Sequence, residues 1–192
     1  MFTLSQAAGA LVLATGLTAA AAPAAKDLTI ADLNGKAQRP LDVSGAKAHV
    51  LFFVFEDCPV SDSYAPEINA LVKDHAGKPV RFYVVHVDPD LTPADARKHA
   101  AAFGYRCPVL LDRKHQLVRA TGVTTTPEVA VLTADGGLAY RGRIDDLYPE
   151  LGKKRTAPTR RDLREALAAV LAGKPVPVPR TEAVGCSIPD LP

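Results

Sequence analysis

The chain has no HExxH pair, no P-loop, no GxGxxG and no GxSxG elbow, and its cysteines keep none of the spacings of a zinc finger. Zinc hydrolases, phosphate-cradling and dinucleotide enzymes and serine hydrolases are therefore unsupported. No basic run is present either. The 23 Lys+Arg and 21 Asp+Glu are mixed along the sequence and leave a formal charge of +2, so nucleic acid is not an expected partner. Tryptophan is absent while prolines number 16, which suits a compact fold with proline-punctuated loops. No internal repeat and no second domain is visible, and 192 residues are enough for one domain to bury a core without metal or disulfide staples.

Residues 1–25 lack any charged side chain, including the usual Lys or Arg near the start. An apolar run from Ala7 to Leu17 followed by small residues matches an export signal with an A-x-A cleavage site. The run is shorter than the roughly 20 residues that a bilayer span needs. No cysteine follows it to take a lipid. The expected mature product is periplasmic or secreted, with no stable membrane insertion after cleavage.

Three cysteines, Cys58, Cys107 and Cys186, lie beyond residue 25, where an oxidising compartment would allow pairing and an odd count leaves one thiol over. Cys58 is placed most suggestively, in FVFEDCPVSDSYAPEI. His49–Phe55 is apolar at nearly every position, as expected of a central strand buried on both faces. Pro59 then suits a first helical position. Tyr64, Ile68, Leu71 and Val72 recur at helical spacing as far as Gly77, and Pro66 predicts a kink because it cannot donate to the Asp62 carbonyl. A cysteine at a strand-to-helix junction gains from exposed helix N–H groups. Glu56, Asp57 and Asp62 oppose that gain, so spacing alone does not sign the pKa shift.

The remaining elements follow in α/β order. Asn34-Gly35 marks a turn in a small leading hairpin, and Val80–Val87 reads as a second core strand. Thr92 caps a helix over 93–103 that Gly104 stops. Pro108–Leu111 is a short extended piece and Arg113–Thr121 a brief helix. Val129–Leu132 and Leu138–Arg143 flank the Asp135-Gly136-Gly137 turn as a β-hairpin. Thr159 caps a last helix with its stripe at Leu163, Leu167, Val170 and Leu171. The Pro-rich piece 174–185 is extended and polyproline-like. Arg141, Arg143, Asp145 and Asp146 read as a solvated charge cluster, and the 147–158 loop as a lid or partner-binding segment. His75, His99 and His115 read as solvated helix-surface residues, whereas His86, on a core strand, is the histidine that could join a metal site.

Cys58-Pro-Val-Ser61 at a strand-to-helix junction, Thr126-Pro127 before a strand, and TPEVAVLTADGGLAYRGRIDD together resemble the redoxin branch of the thioredoxin superfamily, akin to the alkyl hydroperoxide reductase/thiol-specific antioxidant group and related thiol-disulfide oxidoreductases. The resemblance covers roughly residues 27–173. It implies an α/β thioredoxin-like fold: a central mixed sheet flanked by helices in a single domain (26–173) that opens with the N-terminal hairpin, between the 1–25 signal and an extended 174–192 tail carrying Cys186. It also implies that Pro127 is a cis-proline facing Cys58, with the Thr126 backbone binding a thiol or peptide. The departures matter. Ser61 stands where a dithiol thioredoxin has its second cysteine, Phe55 and Leu51 replace the hydroxyl residue and the proline of a peroxiredoxin, and Asp62 replaces the second cysteine of the copper-binding relatives.

The expected function is thiol-disulfide exchange with Cys58 as nucleophile and Cys186 as resolving thiol. The 12 residues from Lys174 to Gly185 span roughly 37 Å if polyproline-like, against a radius of gyration near 15 Å for a globule of this size. Gly185 permits close backbone approach, and Ile188 offers an apolar anchor. Cys107 competes for the role of partner but reads better as a packed free thiol. Protein disulfides or thiols, or a small thiol, are the expected substrates, and an external reductant recycles the pair. No cofactor is expected. The alternatives are a copper or zinc carrier using Cys58 and Cys186, an atypical thiol peroxidase, and an interaction module without turnover.

Overall fold

The protein is described from a computed structural model over residues 25–189. The expected signal falls almost wholly outside the described residues. Among them, no helix is long and apolar enough to cross a membrane.

Five strands form the central sheet: β3 (Ala48–Val54), β4 (Val80–His86), β5 (Val109–Leu111), β7 (Glu128–Thr133) and β8 (Leu138–Gly142), in the order β5-β4-β3-β7-β8. The β3, β4 and β5 neighbours are parallel, while β7 runs antiparallel to both β3 and β8. This is the mixed sheet expected. All seven residues of β3 are buried, because the strand is central and covered on both faces, and its continuous apolar run reflects that position.

Helices α1 (Pro59–Ser63), α2 (Ala65–Asp74) and α5 (Asp162–Leu171) cover one face. Tyr64, Ile68, Leu71, Leu163 and Leu167 meet Val50, Phe52, Val54, Val129 and Val131 there. On the other face, Leu51, Phe53, Tyr83, Val85, Leu110 and Ala130 pack with Leu41, Val43, Leu117 and Val123. Leu117 belongs to α4 (Gln116–Thr121). The leading hairpin is present as β1 (Ile30–Ala31) and β2 (Ala37–Gln38), with Gly35 at a positive φ of 80° in its turn. Helix α3 (Pro93–Phe103) starts at Thr92, whose hydroxyl accepts from the Asp95 N–H at 3.1 Å, and ends at left-handed Gly104.

Several local expectations need correction. The Pro66 kink is a full break at Tyr64: α1 ends there, and Pro66 falls in the first turn of α2, where a missing N–H costs nothing. Helix α4 begins at Gln116 rather than Arg113. The buried Asp112 carboxylate accepts from the N–H groups of Gln116, Leu117 and Val118, fixing the start there. Thr159 does not cap α5; its N–H and hydroxyl are taken by Asp146, and Arg161 occupies the cap. The charge cluster is not a solvated surface. Asp145 and Asp146 are buried, Asp145 accepting from the Tyr64 hydroxyl at 2.8 Å, and Arg143 pairs with buried Asp162 at 2.8 Å. Asp145 ties the chain after β8 to Tyr64 between α1 and α2, Asp146 ties it to Thr159 and Arg160 ahead of α5, and Asp162 ties it to α5, needs that composition does not reveal.

Beyond α5 the tail leaves the helical layer and runs along the free edge of β8. The Arg141 N–H donates to the Pro179 carbonyl at 3.0 Å, and the Thr181 N–H returns a bond to the Arg141 carbonyl at 3.1 Å. The Thr181 hydroxyl accepts from the Arg143 N–H and shares a 2.7 Å bond with the Tyr140 hydroxyl. Gly142 is required at this crossing, since a Cβ there would overlap the Thr181 backbone. The central packing makes a direct prediction: Phe52→Ala, at a fully buried position of β3, should lower unfolding free energy by about 3–5 kcal/mol in urea titration. A loss below about 1 kcal/mol would contradict the placement of the core.

Candidate active site

The site forms where β3 ends beside the start of β7. Phe53 pairs with Glu128, so the loop before β7 lies against the segment that leads out of β3 to Cys58. Cys58 is the N-cap of α1 with extended backbone angles, and its carbonyl accepts the Asp62 N–H at 3.1 Å. The thiol is fully buried and donates to the Thr126 carbonyl at 3.3 Å. The Thr126–Pro127 peptide is cis.

A second small sheet completes the site. Strand β6 (Thr125–Thr126) pairs antiparallel with β9 (Cys186–Ser187), with Thr126 opposite Cys186 and Thr125 opposite Ser187. The Thr126 hydroxyl donates to the Cys186 carbonyl at 3.3 Å, and the Ile188 N–H donates to the Thr124 carbonyl at 3.1 Å. Ile188 packs against the apolar cluster containing Val123 and Leu117. Four expected site residues, Cys58, Thr126, Pro127 and Cys186, thus come together, although Cys58 and Cys186 are 128 positions apart in the sequence. No disulfide joins them in this structure.

The two sulfurs are electrostatically unlike. Burial pushes the Cys58 thiol up. Donors around it, first the Cys186 thiol and then the Ser61 hydroxyl and N–H and Thr126, more than offset that and hold it below the ordinary thiol value. The buried Ser61 hydroxyl has no other partner among the described residues, which leaves it free to serve a thiolate. Burial, and then the hydrogen bond and charge of the Cys58 thiolate, push Cys186 up to about 12. Cys58 is therefore the thiol that ionises first, and Cys186 holds its proton while Cys58 carries the charge. The carboxylates feared from the sequence do not dominate Cys58. Cys107 does not join them: it is held up to about 12 by burial in its own apolar surroundings and packs against the core.

Two groups were not singled out from the sequence as site residues. Glu128, buried at the start of β7, accepts the N–H groups of Thr124 (2.8 Å) and Thr125 (3.2 Å) and so fixes the loop that carries Thr126. An acid directly after Thr-Pro in an otherwise apolar strand was the available signal. The other is a polar cluster behind α1. His99 is buried, not solvated, with Nε2 3.0 Å from Asp62 Oδ1 and its ring centroid 4.8 Å from that of His86. His115 is likewise buried, bonded to the Val87 carbonyl at 2.6 Å, and half-buried His75 bonds the Leu71 carbonyl. Helix position alone does not reveal these tertiary contacts. His86 is not grouped with the cysteines, and among the described residues no cluster of three or more His, Cys, Asp or Glu side chains could hold a metal ion.

The family model for Redoxin matches residues 17–153. The thiol-disulfide oxidoreductase ResA of Geobacillus thermodenitrificans is 29% identical over 113 residues, covering 58% of this chain and 63% of that protein. The chain thus spans under two thirds of that relative's length. An uncharacterised conserved protein of Geobacillus kaustophilus superimposes with a TM-score of 0.75 at 29% identity, covering 85% of this chain and 88% of its own. A secreted disulfide oxidoreductase of Mycobacterium tuberculosis shares the fold, with a TM-score of 0.54 at 17% identity over 79% of this chain and 99% of its own.

His86 generates a pH prediction. Burial, and then neighbouring His99, lower its pKa from 6.5 to about 3. The unfolded chain binds a proton there that the folded chain refuses. This group's contribution is therefore fully present above about pH 6.5 and is lost as pH falls toward 3. Urea midpoints at pH 4.5 and 7 should differ more for the wild type than for His86→Leu; equal differences would contradict the assignment.

Proposed function

The chain belongs to the redoxin family, and on that premise we propose that it is an exported thiol-disulfide oxidoreductase in which Cys58 attacks and Cys186 resolves. The observation that carries this reading is the register of β6 with β9, which sets Cys186 opposite Thr126 while Thr126 accepts from Cys58. The Cys58 thiolate displaces one sulfur of a substrate disulfide, forming a mixed disulfide and releasing one thiolate, which takes a proton from solvent. Cys186 then loses its proton and attacks the Cys58 sulfur. The second substrate thiolate leaves, and a Cys58–Cys186 disulfide remains. Two electrons have passed to the substrate, and an external dithiol returns them.

In this reading residues 1–25 are removed on export, 26–173 form the redoxin domain and 174–192 serve as the tail that delivers the second thiol. Protein disulfides are the principal substrates, with small disulfides also accepted. The Thr126 backbone presents the edge on which an extended chain pairs. Standard peroxidase chemistry is less well supported, because Phe55 supplies no hydroxyl to the site.

Insulin-disulfide reduction tests the roles. Cys58→Ser should lower the rate at least about a hundredfold. Cys186→Ser should keep the first attack and trap a mixed disulfide at Cys58 detectable by intact mass. Cys58 alkylation should reach half its plateau rate at a pH below the free-thiol value of about 8.5, and Cys186→Ser should move that pH upward, since its thiol is the strongest donor to Cys58. Undiminished activity in Cys58→Ser, or no upward movement in Cys186→Ser, would contradict the assignment.

A further inference from the structure

The tail does more than carry a thiol: it occupies backbone positions beside Cys58 through which an extended chain would pair with Thr124–Thr126. Cys186 lies opposite Thr126 and Ser187 opposite Thr125, the Ile188 N–H is bonded to the Thr124 carbonyl, and the Thr126 hydroxyl is bonded to the Cys186 carbonyl. Beneath this strand Cys58 and Thr126 are both fully buried. The fit is close. A Cβ on Gly185 would overlap the Thr126 carbonyl oxygen, so the residue preceding Cys186 must be glycine for the strand to dock.

The tail is anchored in two separable parts. Upstream, Pro179 and Thr181 are bonded to β8 and to Tyr140 and Arg143. Downstream, 185–188 hold the Thr124–Thr126 edge, the Cys58 sulfur through the Cys186 thiol, and the apolar contact of Ile188. The residues between, 182–184, belong to no strand or helix. Release of the downstream part alone leaves Cys186 tethered five positions from Thr181, a reach of about 17 Å at extended spacing. The thiol thus stays at high effective concentration near Cys58 while the edge is open.

We infer that the strand 185–188 is a strap that competes with the substrate polypeptide for the Thr124–Thr126 edge, so that strap and substrate occupy it in turn. This deepens the thiol-disulfide reading and rests on it. With the strap docked, an extended chain cannot pair beside Cys58. With the strap released, substrate pairs and Cys58 forms the mixed disulfide, one substrate thiolate leaving. Return of the strap brings the Cys186 thiolate to the Cys58 sulfur and takes back the edge, so the second substrate thiolate and its chain leave together. The same return that makes the protein's own disulfide strips the product from its binding edge. An external dithiol then reduces Cys58–Cys186. A small disulfide, which needs no edge, escapes this competition.

Gly185→Val and, independently, Ile188→Asp undock the strap while keeping both thiols; retention of fold is checked by circular dichroism. The full chain is assayed in three ways. At a pH above the alkylation midpoint of every form, where loss of the Cys186 donor no longer limits the thiolate, iodoacetamide labelling of Cys58 should accelerate in both variants by at least about tenfold. The initial rate of mixed-disulfide formation with insulin should rise more than that with cystamine, while closure of the Cys58–Cys186 disulfide slows in both variants. Unchanged labelling, or equal gains for insulin and cystamine, would overturn the competition. The labelling arm needs no disulfide chemistry. Accelerated labelling without a mixed disulfide in any form would count against the oxidoreductase reading alone and support the strap's cover of Cys58.

Discussion

The short backbone at Thr124–Thr126 is the constraint on which the site depends. Its Thr126 carbonyl accepts the Cys58 thiol from one side, and its remaining hydrogen-bonding edge holds the Cys186 strand on the other. Buried backbone groups must be paired, and here the partners are the two cysteine-bearing segments. Glu128 makes the arrangement rigid by accepting the N–H groups of Thr124 and Thr125. Burial raises the Glu128 pKa, and those N–H bonds and Arg180 act against it. The chain therefore places a costly carboxylate in a strand to position one loop.

From that loop the division of labour between the thiols follows. Desolvation alone would make both cysteines poor acids. Cys58 escapes because donors converge on its sulfur, whereas Cys186 is itself the first of those donors and keeps its proton. The asymmetry belongs to the pair. A thiol-disulfide cycle needs one sulfur that ionises readily and a second that stays protonated until the first is consumed. The absence of a nearby second cysteine at Ser61 is then no defect. In the proposed cycle Ser61 supplies a hydroxyl to the thiolate, and the second sulfur comes from the other end of the chain.

Much of the scaffold was legible in the residues. Continuous apolar runs identify β3 and β4, Thr92 with Gly104 brackets α3, and Asp135-Gly136-Gly137 marks the β7–β8 turn. The approach of Cys186 to Cys58 was legible too, through tail length and the glycine before Cys186, whereas Thr126 and Pro127 were placed beside Cys58 only by the family resemblance. Charged residues at tertiary contacts were not legible. Asp145, Asp146, His99 and His115 look like surface residues by helical or loop position, yet each is buried against a partner outside its own segment. Local pattern reports the period of an element, whereas these pairings depend on which elements meet. The sign of the Cys58 shift was hidden for the same reason, since its strongest favourable donor lies 128 positions away.

The central claim is that Cys58 and Cys186 form one two-electron couple and Cys107 stands apart. Equilibration of the full chain across a graded series of oxidised and reduced dithiothreitol, followed by acid quenching, alkylation and peptide mass measurement, tests it most directly. The account predicts that Cys58 and Cys186 lose reactivity together along a single two-electron curve, while Cys107 stays a free thiol throughout. Independent titration of Cys58 and Cys186, or a bridge from Cys58 to Cys107, would contradict it.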